Sequence, residues 1–175
     1  MSGETVAVAA RAVPTEAATA VSPSRIAALE IDQRSIVRWT AEVEHERNVA
    51  IFDLLEANSF GLADFPGPYR VVLSLRESNL ILDVAGVDGS ERAEVVLGTR
   101  PFRGVVKDYF LICDSYFKAI KGATPSRIEA IDMARRGLHN EGSEILRDAL
   151  AGRVELDHDT ARRLFTLICV LHIRG

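Results

Sequence analysis

The stretch YRVVLSLRESNLILDVAG, Tyr69 to Gly86, decides the fold class. Val71, Leu73 and Leu75 alternate with Val72, Ser74 and Arg76, the two-residue period of a strand with one face in a core. ESN then reads as a turn and LILDVA as the returning strand. Outward from this hairpin, VDGSE is a second turn and RAEVVLGT a further strand. Strands joined by such short turns pair antiparallel, as a meander. Upstream, IAALEID (Ile26 to Asp32) reads as an edge strand.

The segments around the sheet follow a helical period. In TAEVEHERNVAIFDLLEANSF, Val43, Ala50, Ile51, Leu54 and Leu55 recur at helical spacing behind Thr40 as an N-cap. Asn58 to Pro68 carries Gly61, Pro66, Gly67 and Pro68 and is expected to be a loop. From Thr99 onward the period is 3.6. PFRGVVKDYFLICDSYFKAIK opens with proline in the first turn, and TPSRIEAIDMARRGLHNEGSEILRDAL opens with Thr124 as N-cap and Pro125 behind it. A last helix, from Asp159 as N-cap through ARRLFTLICVLHI, is apolar nearly all round and therefore expected to be the most buried. The expected fold is α+β: an antiparallel meander covered on one face by about four helices, with a helical C-terminal half.

Length and composition bound the rest. A chain of 175 residues, 47% hydrophobic and 26% charged, suits one soluble globular domain, expected over residues 26–175. Residues 1–25, rich in Ala, Thr, Ser and Val with Pro14 and Pro23, read as a disordered tail. A net charge of −4 argues against nucleic acid as the main partner. The longest apolar run, LFTLICVLHI, is too short to span a membrane, and the N-terminus lacks the pattern of a signal peptide. A cytoplasmic location is expected. Cys113 and Cys169, each in an apolar helical context, fit it as buried reduced thiols.

The densest group of reactive side chains is RRGLHNEGSE, residues 135–144. If the helix is continuous there, Ile131, Leu138, Gly142, Ile145 and Ala149 share a face, and Gly142 marks a close helix contact. His139 and Glu141 are then about 200° apart and cannot hold one ion. A metal site requires the helix to break near Asn140 to Ser143. No HEXXH, PCxxC, G-x-S-x-G, P-loop or G-x-G-x-x-G is present, so no metal or cofactor is assigned. The candidate ligand or interaction residues are Arg135, Arg136, His139, Asn140 and Glu141. Arg135–Arg136 and Arg162–Arg163, with Arg100 and Arg103, form an anion site only if folding gathers them.

The segments VEHERNVAIFDLLEANSF, GPYRVVLSL, PFRGVVKDYFLICDSYF, TPSRIEAIDMARRGLHNEGSEIL and DTARRLFTLICVLHIRG together resemble an uncharacterised alphaproteobacterial protein family, one of the UPF series, over residues 27–175. The resemblance implies a bacterial protein of unknown function and transfers no catalytic residue. Two readings compete. The preferred one is a non-enzymatic interaction module, a homodimer or partner binder, because Tyr109, Phe110, Tyr116 and Phe117 exceed what one core stripe needs. The alternative is a small enzyme or anionic-ligand-binding protein using Arg135 to Glu141, with His139 placed for acid–base work.

Overall fold

The computed structural model describes residues 25–32, 34 and 41–171. The expected tail, apart from Arg25, and the Thr40 cap lie outside these residues, as do the Val43 side chain and the chain beyond Leu171. The hairpin forms as its alternation requires. Strand β3 (Tyr69–Arg76) pairs antiparallel with β4 (Asn79–Gly86), Leu73 opposite Leu82 and Val71 opposite Val84. The turn between them is the pair Glu77–Ser78, with Glu77 at φ 57°. β4 pairs antiparallel with β5 (Arg92–Gly98). In the turn between those strands, Asp88 Oδ1 accepts hydrogen bonds from Ser90 N and Ser90 Oγ.

β1 (Ile26–Ile31) takes the edge beside β3, but in the parallel sense, so the four-stranded sheet is mixed, in the order β1-β3-β4-β5. A parallel neighbour needs a long crossover. Here it contains helix α1 (Ala41–Glu56). Asn58, just past that helix, ties its end to the strand: its side chain accepts from Ile26 N at 2.7 Å and donates to Ile26 O and Leu54 O at 2.9 Å each.

The expected loop at 58–68 needs correction. Its Phe60–Leu62 forms a short strand, β2, antiparallel to β6 (Val154–Leu156). The same segment buries Phe60 and Phe65, which pack edge-on against Tyr69. The Tyr69 hydroxyl donates to Phe65 O and accepts from Leu62 N, so one side chain satisfies two backbone groups of the segment.

Helices α2 (Arg103–Ala119) and α3 (Pro125–Leu150) follow the sheet. α2 is preceded by a 3-10 turn over Arg100–Phe102 that includes Pro101. α3 is capped by Thr124, whose side chain accepts from Arg127 N. Helix α4 (His158–Val170) is capped by Asp157, not Asp159: the Asp157 side chain accepts from Thr160 N at 2.9 Å. β6 ends at Leu156, so the chain turns into the helix earlier than its apolar pattern alone indicates. α4 packs against both α1 and α3, and from Leu164 to Leu171 every residue is buried. The helices and the inner sheet face (Val71, Leu73, Leu80, Leu82, Val84) close one hydrophobic core.

Candidate functional site

α3 runs unbroken through Asn140 to Ser143, so His139 and Glu141 stay on different sides of it. Gly142 is buried, and a Cβ there would overlap the Phe165 ring of α4. This contact fixes how near α3 and α4 lie, and with it what His139 touches.

The five residues singled out in the sequence divide between two environments. Arg136, Asn140 and Glu141 are exposed. Arg136 pairs with Asp132 at 2.9 Å, and Asn140 Oδ1 lies 3.2 Å from Nε2 of His158, whose Nδ1 is 3.3 Å from Ser143 Oγ. Those contacts pin the start of α4 to α3. Arg135 and His139, one turn apart, instead face the junction with α1, α2 and α4.

At that junction Arg135 lies 2.9 Å from Asp132 and 3.7 Å from Glu46 of α1, with its guanidinium 4.6 Å above the Tyr116 ring. His139 stacks on Tyr109 of α2, centroids 4.9 Å apart and planes 31° apart, while Phe165 meets both rings edge-on. His139 Nε2 is 3.4 Å from Thr166 Oγ1, which itself donates to Arg162 O at 3.2 Å. Arg162, the next cation, belongs to α4.

Burial sets the protonation states. Desolvation holds the His139 imidazole at a pKa of about 4, with the Arg162 and Arg135 charges reinforcing it. The ring is neutral at neutral pH. Tyr109 is 3% exposed, and burial pushes its phenol far up, Glu46 adding to the effect. Burial also raises the thiols of Cys113 and Cys169, which remain free and protonated. Arg135 is held in its charged form by Asp132 and Glu46, which together outweigh its desolvation.

Three polar groups here lack partners among the described residues: the Tyr109 hydroxyl and the Nε–H groups of Arg135 and Arg162. The Cys113 thiol lies beside the Tyr109 hydroxyl, and a thiol is a weak hydrogen-bond partner.

The arginine pairs read from the sequence are therefore split by the fold. Arg135 and Arg162 flank His139, whereas Arg136 and Arg100 are exposed and Arg163 donates to Ala57 O at 3.0 Å. Glu46 and Thr166 join the group without any signal in local spacing, because they arrive from α1 and α4. Tyr109 and the two cysteines stood out in the sequence as aromatic excess and small apolar residues, not as neighbours of His139. Among the described residues no three or more His, Cys, Asp or Glu side chains come together to hold a metal ion. Nor is any described helix long and apolar enough to cross a membrane.

Comparison with known proteins gives family kinship without an activity. The model of an uncharacterised protein family, UPF0262, matches residues 23–174. A UPF0262 protein of Rhodospirillum rubrum is 60% identical over 147 residues, covering 84% of this chain and 91% of the relative. One from Paramagnetospirillum magneticum is 57% identical over 152 residues, covering 86% and 97%, and one from Rhizobium etli is 58% identical over 142 residues, covering 81% and 90%. No solved structure matches the chain.

Proposed function

The chain belongs to the uncharacterised family UPF0262, and on that premise we propose that it binds a small anionic ligand where α1 to α4 meet. Arg135, Arg162, Tyr109 and His139 are the recognising groups. The observation that carries this reading is the set of unmade hydrogen bonds. The Tyr109 hydroxyl and the Arg135 and Arg162 Nε–H groups are buried with no acceptor among the described residues.

A buried donor left unpaired costs about 1–3 kcal/mol, and more when it is charged. An oxyanion supplies acceptors for donors of this kind, and arginine suits its geometry. The charges also favour it. Glu46 and Asp132 neutralise Arg135, but no described carboxylate pairs with Arg162. A cytosolic setting agrees with the two free, buried thiols.

The test is calorimetric titration with inorganic phosphate, sulfate, glycolate and acetate at low ionic strength. Saturable binding of at least one of them, lost in Arg162→Gln with little change in melting, is expected. No saturable binding of any of the four by the wild-type chain refutes the reading.

A second reading, an interaction module forming a homodimer or docking a protein, is favoured by one separate observation. Phe52 of α1 is 63% exposed, and Val49, on the same face, is 44% exposed. Sedimentation of wild type against Phe52→Ser checks it, a shared monomeric mass counting against a homodimer through this face.

A further inference from the structure

We infer that the anion taken by this site must carry a proton of its own: an oxyanion with an O–H donor close to its charged oxygens, as in monohydrogen phosphate or a hydroxy acid. The inference rests on the anion-site reading above and adds the class of ligand to it. It follows from the tautomer of His139. Thr166 Oγ1 donates its single proton to Arg162 O, so toward His139 Nε2 it offers only a lone pair. Nε2 must then carry the ring proton, and in a neutral imidazole that leaves Nδ1 as an acceptor. No described group donates to Nδ1.

The neutral state has identifiable causes on every side. Arg135, with Asp132 beside it, lies on His139's own helix. Arg162 and Thr166 come from α4, Tyr109 and Cys113 from α2, and Glu46 from α1. Desolvation, with the Arg162 and Arg135 guanidinium groups behind it, keeps a second proton off the ring. The unpaired donors of Arg135, Arg162 and Tyr109 and the acceptor His139 Nδ1 thus belong to one helix junction.

An anion without a proton answers only the donors and sets its lone pairs against that of Nδ1. A ligand with an O–H answers both. Discrimination of this kind, in which a buried polar group is left unpaired by the wrong ligand, is stronger than any that shape alone gives.

Phosphate and sulfate are nearly the same size, but near neutral pH phosphate retains a proton and sulfate has none. Glycolate and acetate differ likewise by a hydroxyl. Titrating the full chain with all four is the experiment. Wild type is expected to bind phosphate at least about tenfold more tightly than sulfate, or glycolate than acetate, the effect of one hydrogen bond. Which pair shows the preference separates an inorganic or phosphoryl ligand from a hydroxy acid.

His139→Phe, which keeps a ring against Tyr109 and Phe165, is expected to abolish the preference. Should that variant fail to fold, Thr166→Val frees the tautomer and is expected to narrow or invert it. In wild type, nitrogen-15 NMR is expected to show the Nε2–H form. Equal binding within both pairs, or an Nδ1–H tautomer, overturns the inference while leaving the anion site standing. No binding of any of the four overturns the anion site and the inference with it.

Discussion

Alanine at Gly142 is expected to destabilise the protein by about 2 kcal/mol, although alanine is the better helix former. In an open helix the exchange would gain about 1 kcal/mol from backbone and side-chain propensity. At Gly142 the added Cβ would lie 2.5 Å from Phe165 Cδ2, with Cε2 and Cζ also overlapped. Comfortable carbon contacts are about 3.5–4.0 Å, so the ring or one helix must shift by about an ångström. Phe165 is fully buried, held edge-on between Tyr109 and His139, and has nowhere to retreat. Overpacking of that kind costs about 1–3 kcal/mol, and the rigid surroundings place it at the upper end, which outweighs the propensity gain.

Gly137 supplies the control. It lies exposed in the same helix, and a Cβ added there would meet open space, so Gly137→Ala is expected to stabilise by about 1 kcal/mol. Urea unfolding followed by far-ultraviolet circular dichroism reads both changes. Opposite signs are required, and Phe165→Leu should relieve part of the Gly142→Ala loss as a non-additive coupling. Two stabilising alanines would refute the close-contact argument.

Two more perturbations test the frame around the site. Replacing Asn58 by alanine leaves the N–H and C=O of Ile26 without their side-chain partners and is expected to cost about 3 kcal/mol in chemical denaturation; a loss under about 0.5 kcal/mol would contradict the role given to Asn58. The depressed pKa of His139 also makes stability depend on acid. The unfolded chain takes up the proton below pH 6.5 and the folded one only near pH 4, so stability present above 6.5 drains away across that window as pH falls. The loss is at most about 3 kcal/mol, and His139→Phe should lack it. Parallel stability curves for wild type and variant between those pH values would show that the imidazole is not held neutral.

The candidate site was half legible. Spacing alone put Arg135 and His139 on one side of a helix and Glu141 on another, and it marked Gly142 as a close approach. Both follow from helix geometry, which needs no knowledge of the neighbours. The sequence ranked an interaction module first because it held no catalytic motif and more aromatics, Tyr109, Phe110, Tyr116 and Phe117, than one core stripe needs. The companions of His139, namely Tyr109, Arg162, Thr166 and Glu46, come from three other helices, and no local period connects them. Once they are in view, the unpaired donors at the junction outweigh the exposed residues of α1 as a clue to function.

The sequence by itself determined what covalent geometry repeats along the chain: the hairpin at Tyr69 to Gly86 with its inward Val71, Leu73, Leu82 and Val84, the helical period from Pro101 onward, the Thr124 cap, and the burial of the last helix. The tertiary structure alone decided the parallel direction of β1, the pairing of Phe60–Leu62 with Val154–Leu156 and the partners of His139. The division has one physical cause. A period of two or 3.6 is written into neighbouring residues by backbone dihedrals. A strand of three residues is too short to show its period, and which distant surfaces meet depends on how all the elements bury their apolar faces at once.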